Sequence, residues 1–218
     1  MNDVLVHLRT AALRGRDGDA TDTDLLGAYA DRRDEAAFEL ILRRHGPMVL
    51  GVCRRLLGHR QDAEDAFQAA FLVLARKAAI IRPRSALAGW LYGVAVRAAH
   101  KVRVAQARRR HREKEVATMA RPADDSADSA DNLAALHREL GRLPNDLRSA
   151  VVLCDLEGKT RAAAAKQLGW PEGTVASRLA RARRILARRL KPAAALAPLA
   201  PIVVPTRLLA DTLNAATR

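Results

Sequence analysis

Aromatic residues are scarce in this chain: three Phe, two Tyr and two Trp among 218 residues. Any core must therefore come from aliphatic side chains, which pack most readily between helices. Strand signals are missing as well, because no stretch alternates β-branched and polar residues between turns. Only two cysteines occur, Cys53 and Cys154, each inside an apolar helical pattern. They read as small buried hydrophobes in a reducing compartment rather than a disulfide framework. The six histidines are scattered, and no ligand spacing such as CxxC or HExxH appears, so neither a metal nor a cofactor is expected. Nor is there a nucleophile–base set, a Gly-rich phosphate loop or a catalytic carboxylate pair, and the chain is not expected to be an enzyme. Long apolar runs are absent too. Asp3, His7 and Arg9 interrupt the N-terminus, and Pro198 and Pro201 break the stretch from Pro192 to Pro205. No signal peptide or membrane span is expected, which implies a cytoplasmic protein.

What the chain has is basic charge. Lys and Arg total 38 against 24 Asp and Glu, a net charge of +14. Residues 1–115 carry 22 basic and 14 acidic groups, residues 116–135 one and four, and residues 136–218 fifteen and six. Two basic blocks thus flank an acidic bridge. No carboxylate lies between Asp65 and Glu113, or between Glu172 and Asp211. Acid-free helical stretches suit a polyanion, since each contacted phosphate releases a counterion. A solvated basic face that aids solubility is the plainer reading of the same arginines.

The periodicity predicts an all-α fold of two small helical domains joined by a flexible acidic linker. After an extension (1–20), helices are expected from about Asp22 and Asp34, with Gly46-Pro47 kinking or breaking the second. Asp62 is the expected N-cap of the next helix, whose apolar face carries Phe67, Phe71 and Leu74. A loop around Ile81–Ser85 leads to a long helix from about Ala86 to Arg110, with Leu91, Val94, Ala98, Val102 and Ala105 as its stripe. Residues 111–131 lose periodicity and read as the linker between a domain at 21–110 and another at 132–191. The tail (192–218) reads as a Pro-spaced connector and a short helix with Leu208, Leu209 and Leu213. It can dock on this protein, on a regulator, or stay unfolded.

The sharpest local pattern is KTRAAAAKQLGWPEGTVASRLARARR, residues 159–184. Thr160 can cap a short helix, Gly169 can close it, and Pro171 can start the next. Val175, Leu179, Ala182 and Leu186 form a buried stripe. Thr174, Ser177, Arg178 and Arg181 then face outward, offering hydroxyls for phosphates and guanidiniums for phosphates or guanine edges. A helix-turn-helix presents such residues to the major groove.

Which regulator carries the motif is decided further upstream. The run Asp62-Ala63-Glu64-Asp65 with Gln68 and Phe71, followed by LAGWLYGVAVRAAHKVR, resembles the bacterial sigma-70 family, most closely its small extracytoplasmic-function (ECF) branch. The resemblance covers about residues 21–191. It implies a promoter-recognition subunit that opens DNA with core RNA polymerase. Its first domain would dock on the polymerase clamp helices through Asp62, Glu64, Asp65 and Gln68. Arg82, Arg84, Arg97, Lys101 and Arg108 would meet the −10 element. The second domain would contact the flap and read the −35 element through Thr174, Ser177, Arg178 and Arg181. An anti-sigma factor is a further partner the family allows. Trp90 either packs against Leu91 and Val94 or offers its ring to an extruded base. Arg97 and Lys101 stand at or near positions where the family often has Asn and Asp, and Ala176 stands where a basic residue is usual. The alternative is a stand-alone helix-turn-helix regulator that binds duplex DNA without polymerase.

Overall fold

The computed structural model describes residues 20–116, 127–190 and 202–217, and their regular structure is helical throughout. Nearly all of the N-terminal extension, the centre of the acidic stretch and most of the tail's connector lie outside the described residues. Helix α1 (Asp22–Arg32) begins at a reciprocal cap: the Thr21 hydroxyl accepts from the Asp24 amide, and the Asp24 carboxylate accepts from the Thr21 amide. Asp34 caps α2 (Glu35–Leu57), accepting from the amides of Ala36 and Ala37. Pro47 does not break α2, which runs through it as one element. Its missing N–H forfeits one hydrogen bond, but Met48, Val49, Leu50, Val52 and Cys53 beyond it are all buried, and that packing keeps the helix whole.

Helix α3 (Arg60–Lys77) starts before its expected cap. His59 occupies the N-cap without a side-chain bond, and Asp62 sits in the first turn, where Gln106 donates to it at 2.5 Å. The carboxylate is thus drawn toward a neighbouring helix rather than to its own amides. After short 3-10 turns at Ala78–Ile80 and Arg84–Ala86, α4 (Leu87–Val116) begins. Helices α2, α3 and α4 pack mutually, with α1 laid on α2. Most of the few aromatic rings meet inside: Tyr29 lies 4.6 Å from Phe38, and Phe71 lies 6.4 Å from Phe38 and 4.9 Å from Phe67, centroid to centroid. Of the expected α4 stripe Leu91 and Val94 are buried, and Ala98 and Val102 half-buried. Tyr92, Ala95 and Ala99 join the buried face, while Ala105 is exposed beside half-buried Val104 and Gln106.

Helix α4 runs to Val116 and α5 (Ala127–Arg142) begins at Ala127, so both ends of the segment expected to be linker are helical. Pro144 opens α6 (Asn145–Val151), which continues as a π turn over Val152–Leu156. Then come α7 (Arg161–Leu168), α8 (Glu172–Arg189) and, in the tail, α9 (Thr206–Thr217). Helix α6 packs on α8 within its own half and on α4 of the other half. Gly89 and Gly93 make that approach possible. A Cβ on Gly89 would stand 2.2 Å from the Asn145 carbonyl oxygen, and one on Gly93 2.3 Å from Nη1 of Arg148.

Candidate nucleic-acid and polymerase interface

The helix-turn-helix forms as its residues predict. The Thr160 hydroxyl accepts from the Ala163 amide at 3.1 Å, and Gly169 ends α7 in the left-handed conformation at φ 67°. Val175, Leu179, Ala182 and Leu186 of α8 are buried. On the opposite face Ser177 and Arg181 are exposed, while Thr174 and Arg178 are half-buried. The Ser177 hydroxyl donates back to the Thr174 carbonyl at 3.1 Å. Arg178 is held in place: its guanidinium lies 4.0 Å over the Trp170 ring and 3.4 Å from the Asp146 carboxylate. A stacked, ion-paired arginine keeps few rotamers, so its fork is oriented before any DNA arrives.

A second basic site opens on the N-terminal half. An open groove of about 550 Å3 runs between α3, the loop after it and α4, and its polar lining includes Lys77, Arg82, Arg97, Lys101 and Asn145. Trp90 forms part of its wall while also packing half-buried against the core, so the two roles open to it are compatible. The groove gathers Arg82, Arg97 and Lys101 of the expected −10 residues. Arg84 and Arg108 do not line it. Arg84 is bound to Asp31 through two hydrogen bonds of 2.9 and 2.6 Å, which hold the Asp31 carboxyl below its ordinary range. Arg108 is exposed farther along α4. Lys77 and Asn145 were not anticipated. Lys77 at least lies in the acid-free run, whereas Asn145 reaches the groove only because α6 packs on α4.

The expected docking residues on α3 are divided rather than gathered. Asp62 turns toward α4 through Gln106. Glu64 accepts from Arg60 at 2.7 Å and is only 18% exposed, Gln68 is half-buried, and exposed Asp65 accepts from Gln61 at 3.1 Å. Leu72, on the same flank, is also half-buried. Among the described residues no helix is long and apolar enough to cross a membrane, and no cluster of His, Cys, Asp or Glu could hold a metal ion.

Two family profiles match this architecture: Sigma-70 region 2 over residues 41–112 and Sigma-70, region 4 over residues 133–186. The chain belongs to the sigma-70 family. The ECF RNA polymerase sigma factor SigM of Mycobacterium tuberculosis is 36% identical over 171 residues, covering 78% of this chain and 85% of the relative. The RNA polymerase sigma-H factor of Pseudomonas aeruginosa is 31% identical over 74% of this chain and 90% of its own. The sigma factor RpoE of Bartonella quintana, solved in complex with the anti-sigma factor NepR, is 25% identical over 72% of this chain and 98% of its own, with a TM-score of 0.32. The protein is thus an ECF-type sigma factor acting in transcription initiation. A stand-alone helix-turn-helix regulator would have no use for the region 2 segment, and nothing favours that alternative.

Proposed function

We propose that this sigma factor divides promoter recognition between the two basic sites. The groove walled by Trp90 takes an unpaired base of the −10 element, with Arg82, Arg97 and Lys101 on the neighbouring phosphates. A ring beside cations suits single-stranded DNA, because every base has a face to stack and every nucleotide a phosphate to neutralise. Helix α8 enters the major groove at the −35 element, with Arg178 and Arg181 at base edges or backbone and Thr174 and Ser177 near phosphates. Glu64 and Gln68 on α3, with Asp62 and Asp65 beside them, meet the clamp helices of core polymerase, and the C-terminal half meets the flap. An anti-sigma factor completes the set of partners known in the family. The protein contributes binding and strand capture in the cytoplasm and no catalysis of its own.

The observation that carries this reading is the Trp90 groove, since a duplex-only regulator needs no such feature. Its test is transcription in vitro with core polymerase on promoters from the same genome, with 2-aminopurine in the −10 element reporting strand opening. Trp90→Ala and Arg97→Ala should reduce opening while −35 protection persists. Unchanged opening by both variants would remove the groove from the mechanism.

A further inference from the structure

Residues 202–217 lie beyond both segments matched to the family, yet they are packed rather than loose. Helix α9 lies against α3 and, more lightly, against α2. Leu208 and Thr212, four apart, are buried on it, and Val204 just before the helix is buried too. The Thr212 hydroxyl satisfies itself on the Leu208 carbonyl at 2.6 Å. Val204 reaches the middle of α2. Its Cγ2 atom lies 3.1 Å from where a Cβ on Gly46 would stand, and the Phe67 ring of α3 lies 3.7 Å from the same point.

The geometry of α3 says which side α9 occupies. At about 100° per residue, Asp62, Ala69 and Val73 stand roughly 120–160° to one side of Phe67, and Glu64, Gln68 and Ala75 roughly 60–100° to the other. Helix α4 takes the first flank, since Gln106 bonds to Asp62 and the groove shared with α4 is walled by Ala69 and Val73. Helix α9 packs on α3 and α2 rather than on α4, so by elimination the second flank is left to it. That flank carries Glu64 and Gln68, the docking residues found partly covered.

We propose that the tail helix α9 is an intramolecular occupant of the polymerase-docking face, competing with core RNA polymerase for the Glu64–Gln68 flank of α3. The inference rests on the reading that this flank docks polymerase. A segment tethered on the same chain acts at millimolar effective concentration, so a modest contact suffices to keep it seated. The face α9 buries is one short stripe, Leu208 and Thr212 with half-buried Leu209, Leu213 and Ala216 beside them, so a larger surface can displace it. Affinity for core is then reduced by the fraction of molecules whose flank is open.

The test uses full-length protein with core polymerase. Leu208→Asp places a charge in the buried face of α9, and Asn214→Ala alters an exposed position on the same helix. Core affinity is measured for each, with amide hydrogen exchange over residues 206–217 in the presence and absence of core. Leu208→Asp should raise affinity roughly tenfold if nine molecules in ten are closed, and Asn214→Ala should leave it unchanged. In the unaltered protein, adding core should deprotect residues 206–217. Should Leu208→Asp disturb folding, that exchange measurement decides alone: protection of α9 undiminished by bound core overturns the proposal. Equal or weaker core binding by a well-folded Leu208→Asp protein with α9 released also overturns it, and leaves the docking reading intact. If the unaltered protein and Leu208→Asp both fail to bind core, the docking reading falls and the proposal with it.

Discussion

Inside the N-terminal bundle Tyr29, Phe38, Phe67 and Phe71 meet ring against ring, and none of these side chains is more than 2% exposed. Between α4 and α6 the apolar packing continues through Leu91, Leu140 and Leu147, but a set of buried polar contacts is added to it. The Gly89 amide donates to the Ser149 hydroxyl at 2.9 Å, and that hydroxyl donates to the Asn145 carbonyl at 2.8 Å. Arg148, 5% exposed, donates to the carbonyls of Leu140, Gly141 and Leu143 in its own half and of Gly89 across the seam. Tyr92 of α4 and Nδ1 of His137 on α5 lie 2.5 Å apart. Apolar area withdrawn from water cannot be regained by any other route, whereas hydrogen-bonding groups exchange partners with water at little net cost. On that contrast we expect the bundle to behave as a core and the seam as a weaker joint. A sigma factor needs such a joint, because elements named −10 and −35 lie about 25 base pairs apart, roughly 85 Å along B-DNA.

The contrast is broken most violently in the bundle. Phe71→Ala removes a fully buried ring that touches two others, and a loss of about 3–5 kcal/mol is expected. Denaturant unfolding followed by circular dichroism measures it. The C-terminal helices should keep their helicity at denaturant concentrations where the bundle has melted. A single transition for both halves, shifted as a whole, would mean that the seam couples them as a core does.

Acid should act on the seam first. Burial, with Arg55 adding repulsion, lowers the His137 imidazole to about 4 from an ordinary value near 6.5. Between these values the unfolded or opened chain binds a proton that the closed form refuses. Stability from this residue is complete above pH 6.5 and drains away as pH falls toward 4, by up to about 3 kcal/mol. Scattering measurements between pH 7 and 4 should show the radius of gyration rising before helicity falls, and His137→Phe should suppress that step. Expansion that coincides with loss of helix in both proteins would assign the acid sensitivity elsewhere.

The elements of this contrast were not equally legible in the sequence. The α8 stripe was plain because a 3.6-residue period survives wherever one face is buried and the other bathed in water. The face carrying Arg178 was legible for the same reason, but its partners Trp170 and Asp146 come from a turn and another helix. Asp62 read as a cap because acidic residues favour first turns, and a cross-helix donor forty-four residues away leaves no local trace. Nothing local in the sequence marks Arg148 as an arginine that will be spent on carbonyls. Gly89 and Gly93 could not be singled out, since a glycine that serves a close approach differs from an idle one only in what lies opposite. The basic character of the groove could be anticipated. Its closure by Asn145 could not, being a property of how the halves pack.

The gentlest intervention falls on the joint itself. In Gly89→Ala the new methyl would stand 2.2 Å from the Asn145 carbonyl and 2.7 Å from the Ser149 hydroxyl, and the first of these is backbone that cannot rotate away. Were the seam part of a core, overpacking of this kind would cost about 1–3 kcal/mol or more. A joint has another response, which is to open, so the penalty cannot exceed what the closed seam was worth. Alanine also gains up to about 1 kcal/mol over glycine within a helix. The two effects should nearly cancel, leaving the midpoint of bundle unfolding within about 1 kcal/mol of its original value. The shape should change where the stability does not: the radius of gyration increases, and amides of α6 facing α4 exchange faster. Promoter-dependent transcription should be retained, as expected if an opened form spans the two elements. A protein that stays compact and loses several kcal/mol would show that α4 and α6 belong to one core, and the distinction between core and joint would be lost.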